Sequence, residues 1–406
     1  MFETDSHEAN LLARASLDHC VKCTICETQC PVMAVTPAFS GPKYVGPQAE
    51  RYRHGLSVDH SLDYCSSCGT CTLVCPQGVK IAELNSVARA AMKKDHMPLR
   101  DRIISRTTLM GTFGDPVAPI ANAVLGFAPA RWAVEQVVGI HRDAAMPTFR
   151  TQTFTSWWKK HTSPTPTRGK VVYFHGCAGQ YFEVETSIKA VEVLERLGFE
   201  VLVPKQGCCG LAAQSNGLFD TARDWVTKLS HQLGVEPGTP IVAASASCVG
   251  MLKHEAREIM GVEDPALIDV GTRIRDLCEF LLELSEAGEL NLDFHPIEMT
   301  VPYHAPCQLK GQGMGKPAID VLRLIPGLTV IDAQATCCGI AGTYGLKKEK
   351  YAVGQAVGKP LFDKVKEVNP ELAVCDTETC RWQIAKSTGA TVVHPIWLIH
   401  KSIFGE

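Results

Sequence analysis

The chain has 406 residues, 45% of them hydrophobic and 20% charged, with a formal net charge of −3 and a mean hydropathy of +0.01. That length calls for several domains, and the mild acidity leaves no electrostatic footprint for nucleic acid. No run reaches the roughly 18 apolar residues of a membrane span. The first twenty residues lack the basic and apolar regions of a secretory signal, so the expectation is a chain kept in the cytosol. In that reducing compartment 18 cysteines point to metal ligands or catalytic thiols, not to structural disulfides.

The first eight cysteines form two copies of one arrangement. "CVKCTICETQCPV" places Cys20, Cys23, Cys26 and Cys30 ahead of Pro31, and "CSSCGTCTLVCPQ" places Cys65, Cys68, Cys71 and Cys75 ahead of Pro76. Three thiolates at C-x2-C-x2-C fold around one cuboidal iron–sulfur cluster, and in two-cluster ferredoxins the fourth cysteine of such a run serves the other cluster. The reading is two 4Fe–4S clusters, one on Cys20, Cys23, Cys26 and Cys75, the other on Cys65, Cys68, Cys71 and Cys30. Zinc sites normally use two C-x2-C pairs per metal and fit this doubled pattern less well. Proline after each run fixes φ and stops a helix. The long segment between the runs resembles the α-helical ferredoxin domain of quinone-linked dehydrogenases such as succinate dehydrogenase. Ile81–Lys94, apolar at three- and four-residue steps, is predicted to be a helix that closes this domain.

Residues 96–168 belong to neither cysteine-rich part. Leu109–Trp132 is apolar but broken by Gly and Pro, and Trp157, Trp158, Lys159 and Lys160 follow. This stretch reads either as a connector packed across both halves or as an interfacial patch of Trp and Lys at a membrane or partner.

The rest of the chain repeats itself. Cys177, the Cys208–Cys209 pair and Cys248 recur as Cys307, Cys337–Cys338 and Cys380, at offsets of 130, 129, 129 and 132 residues. Such a period marks a duplicated domain. In each copy strand-like and helix-like runs alternate, which predicts a small α/β unit with a largely parallel sheet and the cysteines beyond its strand ends. Each Cys-Cys-Gly reads as a ligand corner, with glycine allowing a positive φ and close backbone approach. The bland alternative is a free thiol pair or vicinal disulfide.

C-x~30-CCG-x~38-C resembles the cysteine-rich CCG domain of heterodisulfide reductases and glycolate oxidase iron–sulfur subunits. The order of twin ferredoxin motifs and twin CCG motifs, with "GPKYVGP", "TLMGTFGDPVAPI", "CCGIAGTYGLKKEKY" and "ETCRWQI", is similar over nearly the whole chain to the C subunits of anaerobic glycerol-3-phosphate dehydrogenases. The resemblance implies an α+β multidomain fold: an α-helical ferredoxin domain (1–95), a connector (96–168) and two α/β CCG domains (169–290 and 291–406) packed as a pseudo-twofold pair. It implies a non-catalytic electron-transfer subunit, peripheral on the cytoplasmic side of the inner membrane, that passes electrons from FAD on partner subunits to menaquinone. Cys177, Cys208, Cys209, Cys248, Cys307, Cys337, Cys338 and Cys380 would then hold one or more further iron–sulfur centres. Rival readings are a glycolate or lactate oxidase subunit, a disulfide reductase, and a scaffold whose CCG cysteines bind no redox centre.

The full CCG signature carries a fifth cysteine, and here Ser245 and Thr377 stand in its place. This puts a noncubane cluster in question. Cys375, two residues off register, is a candidate substitute, and Cys278 reads as a helix core residue. His175 and His304 are read as matching positions, suited to hydrogen-bonding cluster sulfur, ligating haem, carrying protons, or simply packing at a strand end. Gly339–Gly345 fits no nucleotide-binding pattern.

Overall fold

The computed structural model describes residues 13–49, 59–94 and 96–405; the reading of the extreme N-terminus as lacking a signal lies largely outside them. The ferredoxin half consists of short helical turns, including Ile25–Thr28 and Thr70–Leu73, and one long helix, Ile81–Lys93. That helix buries Ile81, Leu84 and Ala88 on one side, as the helical period requires. Its start is fastened to the second cysteine run: Thr72 Oγ1 accepts from Ala82 N–H at 2.9 Å and donates to Glu83 at 2.7 Å.

Two four-stranded sheets follow, both wholly parallel. The first holds β1 (Lys170–Phe174), β2 (Glu200–Leu202), β3 (Ile241–Ala243) and β4 (Ile274–Asp276) in the order β2-β1-β3-β4. The second holds β5 (Met299–His304), β6 (Leu328–Asp332), β7 (Leu372–Cys375) and β8 (Thr391–Val393) in the order β6-β5-β7-β8. The strands are near-continuous apolar runs because helices cover both faces. The duplication seen in the sequence is therefore a duplication of topology. The last strand of each copy is new, since three residues ahead of a helix leave no readable alternation.

The copies share one hydrophobic core. Helix Val184–Arg196 of the first packs on Pro395–Phe404 of the second, and Leu277–Glu286 of the first packs on Pro317–Leu322 of the second. Cys278 is fully buried in this layer, as a helix core residue should be. Ser245 Oγ donates to Glu378 at 3.1 Å, and Ser247 and Thr377 hydroxyls lie 3.5 Å apart. The two residues that stand where a fifth cysteine would be thus sit at the seam between copies.

The connector spans the halves. Arg100 pairs with Glu349, Ile140 bridges Lys347, and His141 stacks on Tyr351 at 3.7 Å. Its helices Thr107–Gly114, Ala118–Gly126 and Ala128–Val137 also leave a band of apolar side chains in the open: Leu109, Phe113, Ile120, Val124, Phe127, Trp132 and Val137. Trp157 and Trp158 do not belong with this band. They stack on buried Phe154 and pack against the CCG core, because paired aromatics on one short helical turn gain more from an apolar wall than from water. Among the described residues no single helix is long and apolar enough to cross a membrane.

Candidate iron–sulfur sites and the cavity between them

In the ferredoxin half the fold sorts eight cysteines into two small cavities. One is lined by Cys20, Cys23, Cys26 and Cys75; the other by Cys30, Cys65, Cys68 and Cys71. Each cavity therefore takes three thiols from one run and the fourth from the other. The loops that achieve this are the same in both: the residues on either side of Cys23 (Lys22 and Thr24) and of Cys68 (Ser67 and Gly69) have positive φ, between 54° and 77°. Three of these are not glycine, and such backbone costs on the order of 1 kcal/mol per residue unless something holds it.

The electrostatics follow the same division. Burial, then Glu27 and the thiols of Cys20, Cys75 and Cys23, pushes Cys26 up to about 11. Burial, together with Cys68 and Cys65, pushes Cys30 up to about 12. Four clustered sulfurs, several of them buried, cannot all ionise beside one another unaided, whereas a cationic iron core would stabilise them as thiolates. The donor set and its packing fit a four-iron cluster in each cavity.

In each CCG copy the cysteines gather beyond the carboxyl ends of the strands. Cys177 and Cys307 follow the central strands β1 and β5, the Cys-Cys pairs follow β2 and β6, and Cys248 and Cys380 follow β3 and β7. The glycine of each Cys-Cys-Gly has a positive φ, 86° at Gly210 and 82° at Gly339. At Gly339 a Cβ would also stand 1.8 Å from Gly354 O. Hence Gly339 sits in a tightly packed turn against helix Tyr351–Val368.

The first cysteine of each pair is the acceptor of its group. Cys208 takes hydrogen bonds from Cys177 and Cys209, and from Gly210 N–H at 3.4 Å, which draws its thiol well below the usual value. The same bonds, with burial, push Cys177 and Cys209 up. Cys337 repeats this with Cys307, Cys338 and Gly339 N–H at 3.3 Å. Cys209 lies 3.4 Å from Cys248, and Cys338 lies 3.0 Å from Cys380. All four predicted cysteines of each copy are thus brought together, a soft donor set suited to iron or zinc.

Other groups at these sites were not legible in the sequence. Thr107, from the connector, donates to Cys177 Sγ at 3.1 Å. Arg89 bonds Cys65 O at 2.6 Å and Ser215 O at 2.9 Å, tying the second ferredoxin run to the first CCG copy. Neither residue carries a local motif. Cys375 is fully buried, and its thiol helps to push up Cys380. The matching of His175 with His304 does not hold. Tyr173 and Tyr303 take equivalent places in β1 and β5, so Phe174 is the counterpart of His304; the turn from histidine to cysteine is one residue longer in the second copy. Burial brings both histidines down to about 4, so each is neutral near pH 7.

Between the two halves lies one cavity of about 610 Å³. Cys68 reaches it from the ferredoxin half, Cys177, Cys208, Cys209 and Cys248 from the first CCG copy, and Cys307, Cys338 and Cys380 from the second. Cys337 packs in one apolar cluster with Cys30 and Cys65. Half-buried Glu255, whose carboxyl is pushed up to about 7 by desolvation, also lines the cavity.

Residues 16–79 match a family described as a 4Fe–4S dicluster domain, and residues 171–253 and 301–385 each match the CCG cysteine-rich domain. The chain is 37% identical to the C subunit of the anaerobic glycerol-3-phosphate dehydrogenase of Escherichia coli, over 96% of this chain and 99% of that one. It is 25% identical to the glycolate oxidase iron–sulfur subunit of the same species, over 98% and 96%. A shorter match, 28% identical over 54% of this chain and 42% of the relative, is to the B subunit of the fumarate reductase (CoM/CoB) of Methanothermobacter marburgensis.

Proposed function

The chain belongs to the family of anaerobic glycerol-3-phosphate dehydrogenase C subunits, and from that premise we propose that it is the electron-transfer subunit of such a complex. It would take electrons from a flavin on partner subunits and deliver them to menaquinone at the membrane. Cys20, Cys23, Cys26 and Cys75 would hold one 4Fe–4S cluster, and Cys30, Cys65, Cys68 and Cys71 the other. Cys177, Cys208, Cys209 and Cys248, and Cys307, Cys337, Cys338 and Cys380, would hold further iron–sulfur centres. Such centres supply one-electron transfer.

One observation carries this reading: cysteines of the ferredoxin half and of both CCG copies line a single cavity. Cys68, Cys307 and Cys337 are close enough for their charges to be felt mutually, so the polypeptide brings the two kinds of site together without an intervening domain. The same geometry favours a conduit over a scaffold, because a scaffold has no use for thiols at that junction.

Two structural parts complete the proposal. The domain limits 1–95, 96–168, 169–290 and 291–406 are retained, and the CCG copies form an approximate twofold pair. The reciprocal packing of the second helix of each copy on the last helix of the other supports this. Contact with the membrane is assigned to the apolar band of helices Thr107–Gly114 to Ala128–Val137, which has the apolar area that a peripheral interface needs.

The test is to reconstitute the chain with its flavin-bearing partners and add glycerol-3-phosphate under anaerobic conditions. Reduction of the ferredoxin clusters by that substrate, and not by glycolate or lactate, is the expected result. Reduction by glycolate alone would move the chain to the other oxidase, and disulfide cleavage by the isolated chain would make it a reductase.

A further inference from the structure

The two CCG copies are built on one topology, so a difference between them at the same register position is informative. In the first sheet the central strands end with Phe174 opposite Ala243; in the second they end with His304 opposite Cys375. Phe174 and Ala243 lie in one apolar cluster with Cys209 and Cys248. The position beside the cysteines is thus filled by a phenyl ring in one copy and by an imidazole in the other.

His304 is placed as a donor with nothing to bond. It is 3% exposed, and among the described residues neither ring nitrogen has a hydrogen-bond partner. Leaving a buried polar group unpaired is costly, so such a group calls for an occupant. One ring nitrogen, Cys338 Sγ and Cys380 Sγ all lie within 4.8 Å of one another. His175 is the contrasting case: its Nδ1 bonds Gly176 O at 2.7 Å and its ring packs against Phe154. That histidine is already satisfied.

We propose that His304 binds, through one ring nitrogen, an iron of the centre held by Cys338 and Cys380. The second copy then carries a mixed imidazole–thiolate centre and the first an all-thiolate one. The proposal rests on the reading of the CCG half as iron-binding. The imidazole is neutral, so it adds a nitrogen donor to the thiolates without adding negative charge, whereas a thiolate at the same position would lower the potential of the centre. The second copy also packs against Cys30 and Cys65 through Cys337.

The experiment uses the full chain, purified anaerobically with iron-57 and with either natural or nitrogen-15 histidine. Pulsed EPR of the reduced protein should show a strong nitrogen coupling that changes with the isotope. The coupling should be lost in His304→Gln and kept in His175→Gln, with the ferredoxin signals intact in both. His304→Cys should restore the iron content without the nitrogen coupling and with a lower potential. Mössbauer spectra supply a readout that needs no paramagnetism: a doublet from nitrogen-bound iron, present in the native chain and absent from His304→Gln. Iron in the CCG half with no such doublet, or a coupling that survives in His304→Gln, would overturn the ligation while leaving the conduit reading in place. Iron confined to the two ferredoxin clusters would overturn both.

Discussion

Lys350 Nζ lies 2.6 Å from Asp63 Oδ2 and 3.5 Å from the centre of the Tyr64 ring, joining the segment after the second cysteine pair to the residues just before Cys65. Lys350 is only 1% exposed. Burial alone would raise Asp63, but Lys93 and Lys350 together hold its carboxyl well below the usual range. Lys93 reaches Asp63 at 2.7 Å and also meets Asp101, which accepts from Lys347 at 2.8 Å. A chain of charges thus locks the ferredoxin half, the connector and the second CCG copy into one relative position.

The two ends of that pair are unequal, which gives the first prediction. Asp63→Asn removes the carboxylate that buried Lys350 contacts directly and should cost about 3 kcal/mol. Lys350→Met leaves Asp63 still paired with Lys93 and should cost distinctly less. Thermal unfolding of the two variants checks the order, and equal losses would mean that the pair does not bear on the junction.

Cluster assignment follows from which thiols share a cavity. Cys30→Ser and Cys71→Ser should abolish the same EPR signal, although they lie in different sequence motifs. Cys75→Ser and Cys23→Ser should abolish the other. If Cys30→Ser instead pairs with Cys23→Ser, each run serves its own cluster and the crossed arrangement is wrong.

Asp276 and Asp376 give a pH prediction. Oxygens of the two carboxyls come within 4.8 Å of each other beside Cys278, and Tyr303 OH donates to Asp376 at 2.6 Å. Burial raises Asp376 to about 6, and burial with the neighbouring Asp376 charge raises Asp276 well above the usual value. A carboxyl whose folded pKa is raised stabilises the fold fully below its ordinary pKa, and that contribution fades as pH climbs through the folded value. Stability should therefore fall as pH rises from about 4 through about 6, by on the order of 2 kcal/mol. Asp276→Asn keeps a good helix cap and should flatten this fall. An unchanged slope in calorimetric scans across that range would exclude the carboxyl pair as its source.

How much of this was readable beforehand can be seen at particular residues. Cysteine spacing is chemistry written in one dimension, so both ferredoxin runs, the duplicated copies and the strands that precede Cys177 and Cys307 were legible. Cys278 could be recognised as core from the apolar helix around it. His304 was misplaced because it was aligned on its neighbouring histidine, while a strand register is fixed by its hydrogen bonds. A shift of one residue turns a side chain to the opposite face, and His304 then takes the place of Phe174. Arg89, Thr107 and Lys350 act on partners about 20 to 290 residues away, a relationship no local pattern encodes. Trp157 and Trp158 could be read as packed connector or as interface, because composition alone does not say which wall an aromatic covers.

The apolar band of the connector supplies a further prediction. Phe113 is 75% and Val137 85% exposed, and each large apolar side chain moved into a lipid interface contributes roughly 1 kcal/mol or more. Replacing Phe113, Ile120 and Phe127 by Ser should weaken binding to anionic vesicles by on the order of a hundredfold while leaving the cluster spectra unchanged. Trp157→Phe with Trp158→Phe should leave vesicle binding as it was. Loss of binding in the tryptophan variant alone would assign the contact to the wrong surface.

The central claim is that electrons pass from the ferredoxin clusters through the CCG cysteines to quinone. Rapid mixing of the glycerol-3-phosphate-reduced complex with a soluble menaquinone analogue tests it most directly, with Cys208→Ser and Cys337→Ser compared against the native chain. In both variants the ferredoxin clusters should still be reduced by substrate, and their reoxidation by the quinone should slow by orders of magnitude. Reoxidation at the native rate in both would show that electrons leave without using the CCG half, and would contradict the account.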